Sequence, residues 1–288
     1  MKNRFLILPI ALLLFVSCEN DSNTRPYGTT IEVPTEVSSI KEAIKIAQPN
    51  DTILLHPNEY IEWEIKIDKP VYITSLYSSE QNTDIIKQTI INADHNFRVF
   101  TITNVKDSIK MNGFTITGGA ADGLDGMYDM DTWGGGIVCI SAKLKLTNMI
   151  IENNSASLPN TRGIGGGIYA DESSLILENV QVNQNYGHSY SGGLYLNNSS
   201  FVCNNSIFSG NRCYYYEPVE RFENSSISIK NTIFMDTPTN WGYTDAEIFF
   251  TNCTGSMENI QSENGFYLSN SPLTITNSNI NIVDPVDN

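Results

Sequence analysis

The stretch GGGIYADESSLILENVQVNQN, Gly165–Asn185, decides the fold because it stands between two near-copies of itself. GGGIVCISAKLKLTNMIIENN precedes it at Gly134–Asn154, and SGGLYLNNSSFVCNNSIFSGN follows at Ser191–Asn211. Each copy has a glycine pair, an apolar residue, and a second apolar residue seven positions on: Ile137 to Leu144, Ile168 to Leu175, Leu194 to Phe201. The same interval links Phe266 to Leu273 and, more loosely, Ile248 to Gly255. An apolar-x-apolar-x-Asn run then ends at Asn148, Asn179, Asn205, Asn231 and Asn277, with a weaker match at Asn259. Six residues further stand Asn154, Asn185 and Asn211. Apolar residues alternate at period two over short runs bounded by Gly and Asn, which is the pattern of strands and not of helices.

A period of about 20–30 residues made of short strands and tight turns marks a solenoid. In a parallel β-helix each coil buries its inward side chains on those of the next, so equivalent positions stay chemically alike. Asn at an equivalent turn can take the left-handed conformation and hydrogen-bond the Asn above and below it. Glycine removes Cβ where backbones crowd. A propeller blade needs about 40–50 residues, against the 26 from Ile168 to Leu194, and a sandwich has no reason to repeat.

The N-terminal part agrees. SSIKEAIKIAQPND places Ile40, Ala43, Ile44 and Ala47 on one helical stripe, with Ser39 and Glu42 as a capping box and Pro49 as the stop. Such a helix would cover the open apolar end of a solenoid. SIKEAIKIAQPNDTILLHPNEY resembles the first coil of right-handed parallel β-helix proteins of the pectate-lyase superfamily, with Asn50 and Asn58 where two glycines are usual. The later Gly-Gly-Ile and paired-Asn copies resemble polymorphic outer-membrane protein repeats. The resemblance covers nearly all of residues 35–283. It implies an all-β, right-handed parallel β-helix of about ten coils with a short N-terminal capping helix, and relatives that include polysaccharide lyases and glycoside hydrolases.

Before this domain, Lys2 and Arg4 precede the apolar run Phe5–Val16, which is too short to span a bilayer as a helix. The following FVSC resembles a bacterial lipobox ending at Cys18. The expected organisation is a signal peptide over 1–17, a lipidated Cys18, a flexible acidic tether over 18–34, and the β-helix over 35–288. The expected location is the outer membrane, lipid-anchored and exposed on its surface. The mature chain of roughly 270 residues suffices for one large domain. Loss of Lys2 and Arg4 takes the net charge from −15 to −17. That charge repels nucleic acid and anionic lipid, leaving a neutral or cation-bridged partner such as a glycan, with membrane attachment through Cys18 alone and a monomeric chain. Cys139, Cys203, Cys213 and Cys253 show neither metal-site spacing nor a disulfide framework. Cys139 and Cys203 fall at inward positions of the repeat, as buried thiols would.

Loops between the second Asn of one coil and the glycines of the next should all emerge on one side. They are Gly119–Trp133, Ser155–Gly163, Tyr186–Tyr190, Arg212–Asn224 and about Asp236–Ala246. They carry Tyr128, Trp133, Tyr186, Tyr190, Tyr214, Tyr215, Tyr216, Trp241 and Tyr243, with Arg162, His188, Arg212 and Arg221. Aromatic rings with polar edges suit a sugar, and the plain alternative is that they pack the loops onto the wall. Asp122, Asp125, Asp129 and Asp131 on one glycine-rich loop could hold Ca²⁺, or form a solvated acidic insertion; no motif requires a cofactor. A lyase would need a base and a group facing the substrate carboxylate, roles open to Arg162 and His188. A hydrolase would need two carboxylates, and Glu217, Glu220, Asp236 and Asp245 fall into no recognisable motif. The leading reading is a glycan-holding surface protein; the alternatives are a polysaccharide-cleaving enzyme and a spacer with no ligand groove.

Overall fold

The computed structural model describes residues 28–121, 132–156, 163–214, 218–235 and 246–283. They form a right-handed parallel β-helix in which every strand pairing is parallel. Each coil contributes a strand to three faces in turn. Face one is a ten-stranded sheet running from Thr30–Val33 to Leu273–Thr276. Face two includes Phe100–Thr103, Ile137–Ile140, Ile168–Asp171, Leu194–Asn197, Glu220–Glu223 and Ala246–Thr251, and face three includes Ile150–Glu152, Gln181–Asn183, Ile207–Ser209 and Ile233–Met235. The nine-residue strand Gln261–Ser269 runs through both, joining faces two and three into one sixteen-stranded sheet.

The repeat becomes vertical register. Ile137, Ile168, Leu194, Glu220, Ile248 and Phe266 stand over one another on face two. Leu144, Leu175, Phe201, Ile227, Gly255 and Leu273 do so on face one. The inward columns are aliphatic in the early coils and aromatic later: Phe222 stacks on Phe250 at 4.7 Å, and Phe208 on Phe234 at 4.9 Å. Continuous contact of this kind runs one main core through the described coils, with Leu273, Ile275 and Ile280 only partly buried and Ile282 47% exposed at the C-terminal end.

Asn148, Asn179, Asn205, Asn231, Asn259 and Asn277 lie in one column at the turn after face one, all with φ between 48° and 57°. Asn179 Nδ2 donates to Asn148 Oδ1 at 2.6 Å, and Asn148 Nδ2 to Asn112 Oδ1 at 2.8 Å. The second set of asparagines behaves differently. The left-handed positions there are Gly118, Asn153, Gln184 and Gly210, and the next residue, Asn154, Asn185 or Asn211, points inward. These three are at most 1% exposed and form an internal ladder. Asn185 Oδ1 accepts from the backbone N and Nδ2 of Asn154 at 3.0 and 3.1 Å, and Asn211 Oδ1 from those of Asn185 at 3.0 and 3.2 Å. A further left-handed column, Asn104, Ser141, Glu172, Asn198, Asn224, Asn252 and Asn270, turns face two into face one; Ser141 and Glu172 break its run of asparagines in the two clearest copies of the repeat.

The glycine pairs have a steric cause. A Cβ at Gly135, Gly166 or Gly192 would collide with the carbonyl of Ser155, Tyr186 or Arg212. Those residues begin three two-residue strands, Ser155–Ala156, Tyr186–Gly187 and Arg212–Cys213, which stack as a small third sheet.

Helix Ile40–Ile46 buries Ile40, Ala43 and Ile44 in the core, as a lid would. Ser39 Oγ accepts from Glu42 N at 3.1 Å, but the carboxylate that receives the first helical N–H groups is Glu62, at 2.7 Å from Ile40 N and 3.0 Å from Lys41 N. Asn50 takes the left-handed turn with φ 71°, whereas Asn58 opens strand Asn58–Ile61 with no positive φ. The expected signal peptide, Cys18 and residues 18–27 of the expected tether lie outside the described residues; Thr30–Val33, placed in that tether by the sequence, is instead the first strand of face one, with Ile31 and Val33 fully buried because they face the core.

Candidate functional site

Alternation along the face-two strands sends Ile168 and Ala170 inward and Tyr169 and Asp171 outward. Register then builds two outward columns. One reads Val138, Tyr169, Tyr195, Arg221, Phe249, Tyr267, and its neighbour reads Ile140, Asp171, Asn197, Glu223, Thr251, Ser269. Trp133 comes in from the loop side and stacks on Tyr169, centroids 4.6 Å apart at 21°; Tyr169 stacks on Tyr195 at 5.4 Å and 1°. Tyr195 Oη donates to Glu223 Oε2 at 2.6 Å, and Arg221 Nε donates to Glu223 Oε1 at 2.7 Å. The same guanidinium lies 5.0 Å from the centre of the Tyr190 ring. One connected chain of contacts therefore runs Trp133, Tyr169, Tyr195, Glu223, Arg221, Tyr190. Burial is the main cause that pushes the Tyr169 and Tyr195 phenols far above their usual range; nearby Asp171 and Glu223 add to it for Tyr169, and the hydrogen bond to Glu223 for Tyr195. Both therefore stay neutral, as hydroxyl donors.

The loop ridge beside this strip stacks in register as well, through bridges from Trp133 to Ile164 and from Ile164 to Tyr190. Backbone hydrogen bonds set His188 over Ala156 and Tyr214 over Gly187. Their rings stack at 5.1 Å and 8°, with His188 only 7% exposed and Tyr214 65% exposed. His188 thus forms the floor beneath the exposed Tyr214. Tyr186 is half-buried between Ser155 and Arg212 in the small sheet.

Of the residues expected here, the structure brings Trp133 and Tyr190 into the strip, and His188 and Tyr214 into a pair on the same ridge. Tyr128, Arg162, Tyr215, Trp241, Tyr243 and the four aspartates Asp122, Asp125, Asp129 and Asp131 lie outside the described residues, as do Glu217, Asp236 and Asp245. The expected loop Arg212–Asn224 is shorter than drawn, because Glu220–Glu223 is a strand of face two and Arg221 belongs to the wall. Glu220 stands in the inward apolar column, fully buried, with Oε1 accepting from Asn211 Nδ2 at 2.9 Å. Sequence reading missed Tyr169, Tyr195 and Glu223 because it sought function in loops. The signal was present: each tyrosine directly follows the first apolar residue of its copy, an outward position by alternation.

The strip and ridge offer half-buried aromatic edges, one doubly held carboxylate, and the exposed Tyr214 ring. That set can hydrogen-bond and stack on a polyhydroxylated ring. No protein-family model matches the chain, and no curated protein matches its sequence. Among solved structures it is similar to a pectin methylesterase from Erwinia chrysanthemi, at 12% identity over 85% of this chain and 70% of that one, TM-score 0.44. A pectin methylesterase from Aspergillus niger matches at 12% identity over 88% and 86% of the two chains, TM-score 0.41. An alginate lyase from a Paenibacillus species matches at 13% identity over 88% and 99%, TM-score 0.26.

Proposed function

We propose that this is a surface-anchored lipoprotein whose β-helix holds a glycan, or another extracellular component, along face two and the adjoining loop ridge. The observation that supports the reading is the joining of outward aromatic and polar side chains into one contact chain from Trp133 to Tyr190, next to the exposed Tyr214. A spacer has no need to gather such aromatic groups on one face, and the outward positions of face one in the same coils, Ser174, Ser200, Ser226 and Thr254 among them, carry no aromatic ring. Because Trp133, Tyr169 and Tyr195 stack on each other, their ring faces are occupied; Tyr169 is only 4% exposed, and what the strip presents is the half-buried edges of Trp133 and Tyr195. Tyr214, at 65% exposure, is the most exposed described ring of this group, and we assign it the stacking contact.

Affinity electrophoresis through gels containing neutral and acidic polysaccharides tests this. At least one polysaccharide should retard the protein, and Tyr214→Ala should weaken retention about tenfold with an unchanged circular dichroism spectrum, as expected for loss of a stacked exposed ring. Migration indifferent to every polysaccharide would refute the reading. Release of unsaturated or newly reducing ends during incubation would instead make the protein an enzyme. Anchoring at Cys18 is read separately: metabolic labelling with a fatty acid should disappear in Cys18→Ser.

A further inference from the structure

Face one carries a feature that the glycan strip on face two does not use. Its outward positions are mostly small and polar, and where charges oppose one another late in the sheet they are complementary. Lys230 and Glu258 stand in register with Nζ and Oε2 2.9 Å apart. Earlier in the same sheet the rule is broken. Lys110 and Lys145 stand directly opposite in register, one strand spacing of about 4.8 Å apart. Like charges so placed repel and destabilise the sheet, and this happens in a chain where 32 acidic residues outnumber 17 basic ones. Lys145 reaches forward to Glu178, with Nζ 2.9 Å from Oε2. No carboxylate among the described residues pairs with the exposed Lys110.

The two lysines border a surface cavity of about 520 Å³, lined also by Asn50, Thr52, Val71, Tyr72, Ser108 and Thr147 and by no carboxylate-bearing residue; Ser108 and Thr147 give their hydroxyl protons to the Ile109 and Met111 carbonyls. Asn112 Nδ2 donates to Tyr72 Oη at 3.2 Å, so that hydroxyl's own proton is free to be given to a ligand. Two ammonium groups and the Tyr72 hydroxyl around a hollow, with acids excluded from its wall, make the complement of an oxyanion.

We propose that this cavity is an anion site, taking a carboxylate, sulfate or phosphate group, free or borne on a sugar. Lys110 supplies the uncompensated charge, and Lys145 shares its charge between the ligand and Glu178. Binding of the anion relieves the opposition of the two lysines, so occupancy stabilises these coils.

The full chain is titrated by NMR at low salt with inorganic sulfate, inorganic phosphate, glucuronate and, as neutral control, glucose. Saturable shifts at Lys110 and Tyr72 with one or more anions and none with glucose are expected. Preference for glucuronate over the inorganic ions would assign a sugar acid, and the reverse a free ion. Lys110→Gln should weaken the tightest anion at least about tenfold, the loss of one charge-assisted contact, and added salt should weaken it as well. Lys230→Gln, on the same face but paired with Glu258, and Tyr214→Ala, on the other site, should leave anion binding unchanged. Equal response to glucose and the anions, or full affinity in a folded Lys110→Gln, would overturn the proposal, and the Tyr214→Ala control keeps that failure separate from failure of the glycan strip.

Discussion

Two columns of the same residue, six positions apart in sequence, do opposite work in this molecule. Asn148, Asn179 and Asn205 stand at an outer corner, and what the fold takes from them is mainly the backbone: a left-handed turn that a β-branched residue would resist. Asn154, Asn185 and Asn211 stand at the corner beneath the loops with almost no exposure, and what the fold takes from them is the side chain. Each buried carboxamide satisfies backbone and amide groups of the coil before it, and Asn185 Nδ2 also caps the Ile151 carbonyl at 2.9 Å. The outer ladder tidies a turn already set by φ, whereas the inner one replaces water inside the wall. Identical letters in a repeat therefore establish stacking but not the physical role of the stacked residue.

The largest expected effect of breaking this comparison is at the inner column. Asn185→Leu strips two donors of Asn154 of their acceptor and leaves the Ile151 carbonyl without its donor, and should cost about 3 kcal/mol, read as a lower urea midpoint. At the outer column, Asn179→Gly keeps the left-handed turn and forfeits an exposed hydrogen bond, so it should stay within about 0.5 kcal/mol of the parent. Equal losses at the two sites would erase the distinction. The smallest effect is that of pH on the gap between these variants, since carboxamides do not titrate: it should be constant from neutral pH to about pH 9. Above that, all forms should weaken together. Burial raises Cys139 and Cys203 from 9.0 to about 11, and Tyr60 from 10.0 to about 12. Folded pKa values above the unfolded ones mean that stability is complete below the unfolded values and lost as pH rises through the folded ones. A pH series of urea midpoints reads both statements.

The fold was legible because stacking copies chemistry from coil to coil, and the Ile168–Leu175–Asn179 interval survives translation into three dimensions. The buried role of Asn185 was not, because the left-handed residue beside it varies between Gly, Asn and Gln and leaves no consistent letter to mark the turn. Glu220 escaped notice for a related reason: it fills an apolar column, where its Oε1 accepts from Asn211 of the inner ladder. Of the candidate site, the loop aromatics Trp133, Tyr190 and Tyr214 were visible by composition. Tyr169 and Tyr195 were visible only to a reading that followed the strand alternation outward. Arg221 was misplaced into a loop because Glu220 hides the apolar start of its strand.

Pulsed electron-electron resonance between spin labels on face one tests the central claim, that matching positions of successive coils lie directly over one another. Outward positions Ser108, Lys143, Ser174, Ser200, Ser226 and Thr254 share one column. Labels are placed at Ser108 paired with Ser226 or with Thr254, with Cys18 replaced by serine and the four other thiols protected by burial. The strand spacing of about 4.8 Å sets the scale. Narrow distributions near roughly 19 and 24 Å, differing by one strand spacing, are what the stacked coil requires. Distances that do not grow by that step, or broad distributions at both pairs, would contradict it.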